Sequence, residues 1–198
     1  MRVKLIDNEK DLSQFQRRAQ RYIGVLFPVD YIKESSVYGI YHNDQVMGGY
    51  LIKTDSQFRT IQGLPEEVQK RFLNSYKLND ICEITGLWIH PSLRKSAASW
   101  ELIISIALKL VKRPKKYFVY TYSKKCAGLG KIYSLSKPKR IYEGTVKQLP
   151  GMKSTDEEII EIASSIKGSL NVIKAYLLFS AQVLARDFLK PKISRISL

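Results

Sequence analysis

Apolar residues along the chain recur in two spacings, one typical of strands and one typical of helices. Alternation, or enrichment in β-branched and aromatic residues, predicts strands at residues 2–6, 36–41, 45–53, 117–122 and 139–148. Spacings of three and four residues predict helices at residues 12–23, 63–76 and 100–111, and a small-residue segment predicts a short helix at 126–133. The pattern therefore mixes helices and strands along most of the chain.

Residues 81–89 differ from the other predicted strands because apolar side chains occupy both faces, except at Glu83 and Thr85. Such a run is typical of a central strand that is covered on both sides. The order strand, helix, strand over residues 81–122 predicts a parallel crossover, whereas the hairpin at residues 36–53 is antiparallel. We therefore predict an α+β fold, an α/β/α sandwich around a mixed, mostly antiparallel central sheet.

The C-terminal part of the chain follows a break at Pro150-Gly151. Residues 154–158 contain overlapping helix-capping patterns, which predict a helical region that reaches about residue 188. We predict a core over residues 1–150 and a helical extension over residues 151–198 that packs on the same domain. An apolar stripe on this extension is expected to pack on the core, with weak membrane contact as the alternative; it comprises Leu170, Ile173, Leu177, Leu184 and Phe188.

The composition narrows the class of protein. With 198 residues, 44% of them hydrophobic, the chain can bury one substantial core. Its two cysteines and two histidines show no metal-ligand spacing, so neither a zinc site nor a disulfide framework is expected. The start of the chain has no apolar signal segment, and no apolar run approaches the roughly 18 residues of a membrane span. We expect a cytoplasmic protein without a bound metal.

Positive charge is concentrated in the middle of the chain. The formal net charge is +15, and residues 81–155 hold 15 basic and 3 acidic side chains. A solubilising surface could account for this imbalance, but its size favours an anionic partner such as nucleic acid, acidic lipid, an acidic protein or a phosphorylated cofactor. The aromatic residues at 117–122 would suit nucleic acid. They alternate within a predicted buried strand without a nucleic-acid motif, so nucleic-acid binding remains only an alternative.

Glu83 is the first candidate for chemistry. A carboxylate in a doubly covered strand is costly unless it is paired, hydrogen-bonded or facing a cavity, and burial would raise its pKa towards that of a general base. A buried ion pair with Arg59 or Arg21 is the structural alternative. Gly86, three residues further on, could form a bulge that frees a backbone N–H for an oxyanion.

The second candidate is the loop before the predicted helix at 100–111, where residues 94–99 read Arg-Lys-Ser-Ala-Ala-Ser. Small side chains and the free N–H groups of a helix start suit a phosphate, with Arg94 or Lys95 as the counter-charge. An ordinary serine cap explains the same residues equally well.

The order of these elements resembles the Gcn5-related N-acetyltransferase superfamily, in which a strand, a loop and a helix bind the pantetheine arm and phosphate of an acyl donor. A narrower resemblance covers residues 15–100 and concerns the acyl-homoserine-lactone synthases and the related long-chain N-acyl amino acid synthases, such as N-acyltyrosine synthases. It is carried by Arg17, Arg18, Arg21, Gly48-Gly49-Tyr50, Arg59, Leu64-Pro65 and Glu83-Ile84-Thr85.

This resemblance implies an N-acyltransferase that moves a long-chain fatty acyl group from acyl carrier protein to the amine of tyrosine or another aromatic amino acid. The implied catalytic groups are Glu83 as base, a backbone N–H near Gly86 as oxyanion donor, and Tyr133 as acid, although packing also explains Tyr133. The donor would contact Leu87, Trp88, Ile89, Arg94, Lys95, Ser96, Ala97 and Ser99. The acceptor would contact Thr85 and a cation for its carboxylate, either Arg59 or the group that contains Arg17 and Arg21.

An acidic acyl carrier protein is the implied partner, and a basic cluster could speed its encounter with the enzyme. The candidate cluster comprises Lys109, Lys112, Arg113, Lys115 and Lys116. No cofactor of the enzyme's own is implied, and acyl-CoA is the other donor considered. An acetyl-CoA-dependent small-molecule N-acetyltransferase is the alternative function.

Overall fold

The computed structural model describes residues 2–94 and 96–189, with side chains described for all of these except residues 127 and 184–189. Its strands are β1 (Val3–Leu5), β2 (Ser36–His42), β3 (Gln45–Lys53), β4 (Ile81–Ile89), β5 (Tyr117–Ser123), β6 (Lys139–Thr145) and β7 (Glu157–Ser164). Its helices are α1 (Glu9–Ile23), α2 (Val29–Lys33), α3 (Arg59–Gln62), α4 (Glu66–Ser75), α5 (Ala97–Val111), α6 (Ala127–Ser134) and α7 (Ser165–Leu189).

The strands of the described residues form one seven-stranded sheet in the order β1-β2-β3-β4-β5-β7-β6. Neighbouring strands are antiparallel, except that β4 and β5 are parallel. The parallel pair follows from α5, which carries the chain back along the sheet between β4 and β5. The predicted mixed, mostly antiparallel sheet is confirmed.

Helices cover both faces of this sheet. On one face, Phe15 of α1 and Phe72 of α4 are buried in separate apolar clusters against the strands. On the other face, Leu102 and Ile106 of α5 and Tyr133 of α6 are buried together. The predicted α/β/α sandwich is therefore confirmed.

The C-terminal prediction is wrong in one element. Residues 154–158 do not begin a helix; Glu157–Ser164 is β7, which pairs with both β5 and β6, and the helix begins at Ser165. The buried β-branched side chains of Ile159, Ile160 and Ile162 favour a strand, and this tertiary pairing outweighs the local capping pattern. The sheet therefore takes strands from both sides of residue 150. Residues 190–198 of the expected extension lie outside the described part of the chain.

Candidate active site

A cleft of about 420 Å³ lies where β4 and β5 separate. The two strands pair from Ile81 with Tyr117 to Ile84 with Tyr120, and their pairing ends there. Beyond that point residues 85–87 of β4 and 121–123 of β5 line opposite walls of the cleft. Strand edges that have parted expose backbone groups that an extended ligand can pair with.

A bulge in β4 shapes this opening. Thr85 pairs with Leu51 and Trp88 pairs with Gly49, so Gly86 and Leu87 both lie opposite one residue of β3. Gly86 has a φ of +63°, in the left-handed region that favours glycine. A Cβ at this position would also overlap the side chain of Leu51. The sequence-based expectation of a bulge at Gly86 is met.

Glu83 lies one layer behind the cleft wall. Its side chain is completely buried and does not itself line the cleft. Oε1 accepts a hydrogen bond from the backbone N–H of Thr60 at 2.5 Å, and Oε2 accepts one from the Tyr31 hydroxyl at 2.5 Å and one from the backbone N–H of Arg59 at 3.0 Å. Three hydrogen-bond donors thus hold this carboxylate in place, rather than the side chain of an arginine.

Burial raises the pKa of Glu83 above its ordinary value of 4.5, although the hydrogen bonds from Thr60, Tyr31 and Arg59 oppose the shift. Burial and the neighbouring Glu83 raise the pKa of Tyr31 as well, so that its hydroxyl remains a hydrogen-bond donor. The Lys53 ammonium lies 4.9 Å from the centroid of the Tyr31 ring and bonds to Glu34 and Asp55. The carboxylate therefore belongs to a buried polar network.

The hydrogen bonds to Glu83 also explain α3. This helix has four residues, and its N-cap, Phe58, has no side-chain oxygen to accept from the first N–H groups. Glu83 accepts from two of those groups and so caps α3 from β4. The capped segment places Arg59 and Thr60 on the cleft wall.

Arg59 is a buried cation on that wall, with 8% of its surface exposed. Its guanidinium lies 5.8 Å from the ring centroids of Phe27 and Tyr31, and one nitrogen donates to the carbonyl of Pro150 at 2.8 Å. Burial lowers the pKa of Arg59, but a guanidinium remains charged in proteins. The Pro150 carbonyl accepts from only one guanidinium nitrogen, so the other N–H groups of Arg59 can donate to an anion in the cleft.

The other arginines predicted for the acceptor lie elsewhere. Arg17 and Arg21 are exposed on α1 and do not line the cleft. Arg21 lies over the ring of Tyr22, which does line it, at 5.9 Å from the centroid. The choice left open by the sequence therefore favours Arg59. The structure also brings Thr85 to the cleft.

Thr60 is a cleft residue that the sequence did not indicate. It is 4% exposed and lines the cleft. A hydrogen bond from the Thr60 side chain also lowers the pKa of Glu83, so this hydroxyl lies within reach of the buried carboxylate. In the sequence, Thr60 is marked as a possible site residue only by its position next to the candidate Arg59.

Tyr133 of α6 lines the cleft from the face opposite Arg59. Its ring stacks on Tyr120 with centroids 4.1 Å apart, so the packing role is present, and its role as an acid stays a prediction. Burial raises the pKa of Tyr133, which keeps the phenol protonated.

The loop before α5 satisfies much of its own hydrogen bonding. Ser96 caps the helix by accepting from the backbone N–H of Ala98 at 3.2 Å, and the Ser99 hydroxyl donates to the carbonyls of Leu93 and Arg94. Ala97 is the first residue of α5, and Arg94 is exposed. Lys95 lies outside the described residues. Serine capping is therefore present, and phosphate binding at this loop stays a prediction.

The other residues that were predicted to contact the acyl donor lie on different faces of the sheet. Leu87 lines the cleft. Trp88 is buried on the α1 face, where its ring stacks on Tyr22 with centroids 5.4 Å apart. Ile89 packs against the small cluster that contains Leu93. Of these three residues, Leu87 alone lines the cleft, and the expected pairing of the donor with the strand backbone at residues 87–89 stays a prediction.

The basic cluster predicted to dock a carrier protein lies at the other end of α5 from the loop. Lys109 and Arg113 lie over the ring of Tyr38, Lys115 donates to the carbonyl of Asn79, and Lys116 forms an ion pair with Asp80. Because α5 has 15 residues, about 22 Å separate its two ends. Together with Lys112 these cations form a separate patch from the loop, and their role in docking an acidic carrier protein stays a prediction.

Solved structures of similar shape include an N-acyl amino acid synthase and an acyl-homoserine lactone synthase. FeeM, an N-acyl amino acid synthase from uncultured soil microbes, aligns with a TM-score of 0.63 and 12% identity over 88% of this chain and 96% of its own. MesI, a CoA-dependent acyl-homoserine lactone synthase, gives 0.58 and 12% over 88% and 95%. NAA60 of Arabidopsis thaliana in complex with acetyl-CoA gives 0.59 and 10% over 82% and 97%.

No protein-family model and no curated protein matches this sequence. The structural likeness therefore stands on three-dimensional shape, and it establishes the fold as that of the Gcn5-related N-acetyltransferases, as the order of the elements predicted.

Proposed function

We propose that this protein is an N-acyltransferase that moves a long-chain fatty acyl group from a phosphopantetheine thioester to the amine of an amino acid, tyrosine or another aromatic one. The observation that carries the proposal is the cleft between the separated strands β4 and β5, with a buried arginine on one wall and a buried tyrosine on another. The fold shared with FeeM and MesI supports it.

Arg59 is the proposed carboxylate-binding residue of the acceptor site. A buried guanidinium with free donors suits a carboxylate, because the two can form a planar pair of charge-assisted hydrogen bonds. The rings of Phe27 and Tyr22 lie on the same side of the cleft and offer apolar surfaces to an aromatic side chain. Thr85 supplies a hydroxyl within the same walls.

The donor is proposed to enter between the parted edges of β4 and β5. Its pantetheine amides would pair with backbone groups near Leu87, and its phosphate end would lie towards Arg94 and the start of α5. Acyl carrier protein is the proposed donor, and acyl-CoA would present the same thioester arm.

The reaction forms one C–N bond and breaks one C–S bond. The unprotonated amine attacks the thioester carbonyl, the backbone around Gly86 stabilises the oxyanion, and the thiolate then leaves. The nitrogen must lose a proton and the sulfur must gain one. Tyr133, whose phenol is protonated, is the proposed donor to the thiolate, and the resulting tyrosinate takes a proton from water in the cleft before the next turnover.

Glu83 is the proposed acceptor of the amine proton, and Thr60 is the proposed route to it. The carboxylate cannot reach the cleft directly because it is buried behind the wall that Thr60 forms. The Thr60 hydroxyl can accept a hydrogen bond from the amine and pass a proton inward, since hydroxyls both accept and donate. The raised pKa of Glu83 makes it a better proton acceptor than an ordinary carboxylate.

An assay with defined donors tests the proposal. The purified protein is incubated with long-chain acyl carrier protein, with the matching acyl-CoA, or with acetyl-CoA, each with a mixture of amino acids, and products are identified by mass spectrometry. A long-chain N-acyl aromatic amino acid is the expected product. Acetylated products alone would favour the second candidate, an acetyl-CoA-dependent N-acetyltransferase, which the likeness to NAA60 supports. Failure to acylate any amine would reject both.

A further inference from the structure

The side of α7 that faces solvent is apolar. Ile166, Leu170, Leu177 and Leu178 are between 54 and 60% exposed. The side of the helix that faces the protein instead carries Gly168, Ser169 and Val172, all of them buried. A surface helix of a globular protein ordinarily has the opposite arrangement, with its apolar stripe against the core. The exposed stripe therefore has no apolar partner among the described residues.

The exposed leucines and isoleucine share their side of the helix with two lysines. At about 100° per residue, Lys167 and Lys174 project within the same sector as the four apolar side chains. We name this set, Ile166, Lys167, Leu170, Lys174, Leu177 and Leu178, the α7 outer surface. It is about 18 Å long, from the rise of 1.5 Å per helical residue.

The neighbouring helix α5 also has exposed apolar side chains and a lysine. The helix α5 packs beside α7, where Trp100 stacks on Phe179 with centroids 5.3 Å apart. Leu108 and Val111 of α5 are 48 and 40% exposed, and Lys112 follows them. Residues 165–183 contain no acidic side chain. The outward side of this helix pair therefore combines exposed aliphatic groups with positive charge.

We propose that the α7 outer surface lies on an anionic lipid bilayer. Apolar side chains interspersed with lysines, on a helix parallel to the membrane plane, bind by burying aliphatic groups below the headgroups while the long lysine side chains extend to the headgroup charges. The net charge of +15 adds a long-range attraction to an anionic membrane. Among the described residues, no helix has the length and apolarity needed to cross a bilayer, so the proposed contact is peripheral.

The positive charge of the α7 outer surface also favours a bilayer over a second copy of the chain as its partner. A symmetric pair built on the α7 outer surface would bring Lys167 and Lys174 of one copy near the same residues of the other. No acid on α7 within residues 165–183 could offset that repulsion. Anionic headgroups offset it directly.

Vesicle co-sedimentation tests the proposal without reference to catalysis. The probes are vesicles of phosphatidylcholine alone and vesicles of phosphatidylcholine and phosphatidylglycerol in equal parts. The wild-type protein is expected to pellet with the mixed vesicles and to be released by salt. The double variant Leu170→Glu, Leu177→Glu is expected to bind about tenfold more weakly, because both changes place charge where aliphatic groups would be buried.

Leu73→Glu is the matched control, since Leu73 is a 43% exposed leucine on α4, on the opposite face of the sheet. It should bind the mixed vesicles like the wild type, and all variants should keep the same circular dichroism spectrum. Equal loss in Leu73→Glu, or no binding of the wild type to mixed vesicles, would overturn the proposal. A wild-type dimer in solution that the double variant dissociates would assign the surface to a second copy instead.

Discussion

The backbone N–H of Thr60 donates a 2.5 Å hydrogen bond to the carboxylate of Glu83, so that a strand residue caps the helix which carries the cleft arginine. Thr60 also lines the cleft, and its side chain is hydrogen-bonded to the same buried acid. One buried carboxylate can therefore serve the architecture of the site and its proton transfer together. Capping of α3 depends on the backbone N–H groups of Arg59 and Thr60, whereas proton transfer depends on the Thr60 side chain. A substitution of that side chain can therefore separate the two roles.

The raised pKa of Glu83 predicts how stability depends on pH. Since the native state holds this proton more tightly than the unfolded chain, Glu83 contributes stability that is present below its ordinary pKa of 4.5 and is lost as pH rises through the native pKa. A native pKa that is higher by one than the unfolded pKa corresponds to about 1.4 kcal/mol. Urea unfolding across this range should show that the free energy of unfolding of the wild type falls, relative to that of Glu83→Gln, as pH increases.

Glu67→Gln is the control for this measurement because Glu67 is an exposed carboxylate on α4. Its free energy of unfolding should follow that of the wild type across the same pH range. A Glu83→Gln curve that runs parallel to the wild-type curve would show that the buried carboxylate has no raised pKa.

Thr60→Val should lower kcat by about a hundredfold if the hydroxyl relays the proton, in line with the usual contribution of general-base catalysis. Valine has nearly the same shape as threonine and keeps the backbone N–H that caps α3, so stability should change little. Thr60→Ser restores a hydroxyl and should recover most of the rate. Steady-state kinetics over pH would test this, and a Thr60→Val enzyme with wild-type kcat would exclude the relay.

The central strand could be predicted from sequence because its evidence is local. Apolar residues on both faces of residues 81–89 indicated double cover, and the one glycine in the run, Gly86, marked the bulge. The same reasoning could not find α3, whose cap is Glu83, 24 residues from Arg59 along the chain. A four-residue helix without a local cap leaves no periodic pattern, so Thr60 was missed with it.

One other prediction failed because of where groups lie in space. The capping pattern at residues 154–158 was local, whereas the pairing of β7 with β5 and β6 was not. The basic residues at the end of α5 lie a helix of 15 residues away from the loop at its start, and carrier docking at them stays a prediction. This separation follows from the rise per residue of a helix and the length of the predicted one, so the sequence alone contains it.

Gly86→Ala should destabilise the fold by about 2–4 kcal/mol, because alanine is strained at a φ of +63° and its Cβ would overlap Leu51. Gly24→Ala separates backbone strain from steric overlap, since Gly24 has a φ of +72° but no atom lies within 4 Å of an added Cβ. That variant should lose about 1–2 kcal/mol from backbone strain alone. Denaturant unfolding of both variants measures the difference, and equal losses would mean that the bulge tolerates a side chain.

Arg59→Met should raise KM for the amino acid acceptor about 10- to 100-fold, because the substrate carboxylate would lose its charge-assisted hydrogen bonds. Arg17→Met is the control, since Arg17 is exposed on α1 outside the cleft, and its KM should match that of the wild type. The amide of the same amino acid lacks the carboxylate, so wild type and Arg59→Met should use it almost equally well. If Arg59→Met instead raised the KM for the amide by the same factor as the KM for the amino acid, Arg59 would support the cleft wall without binding the carboxylate.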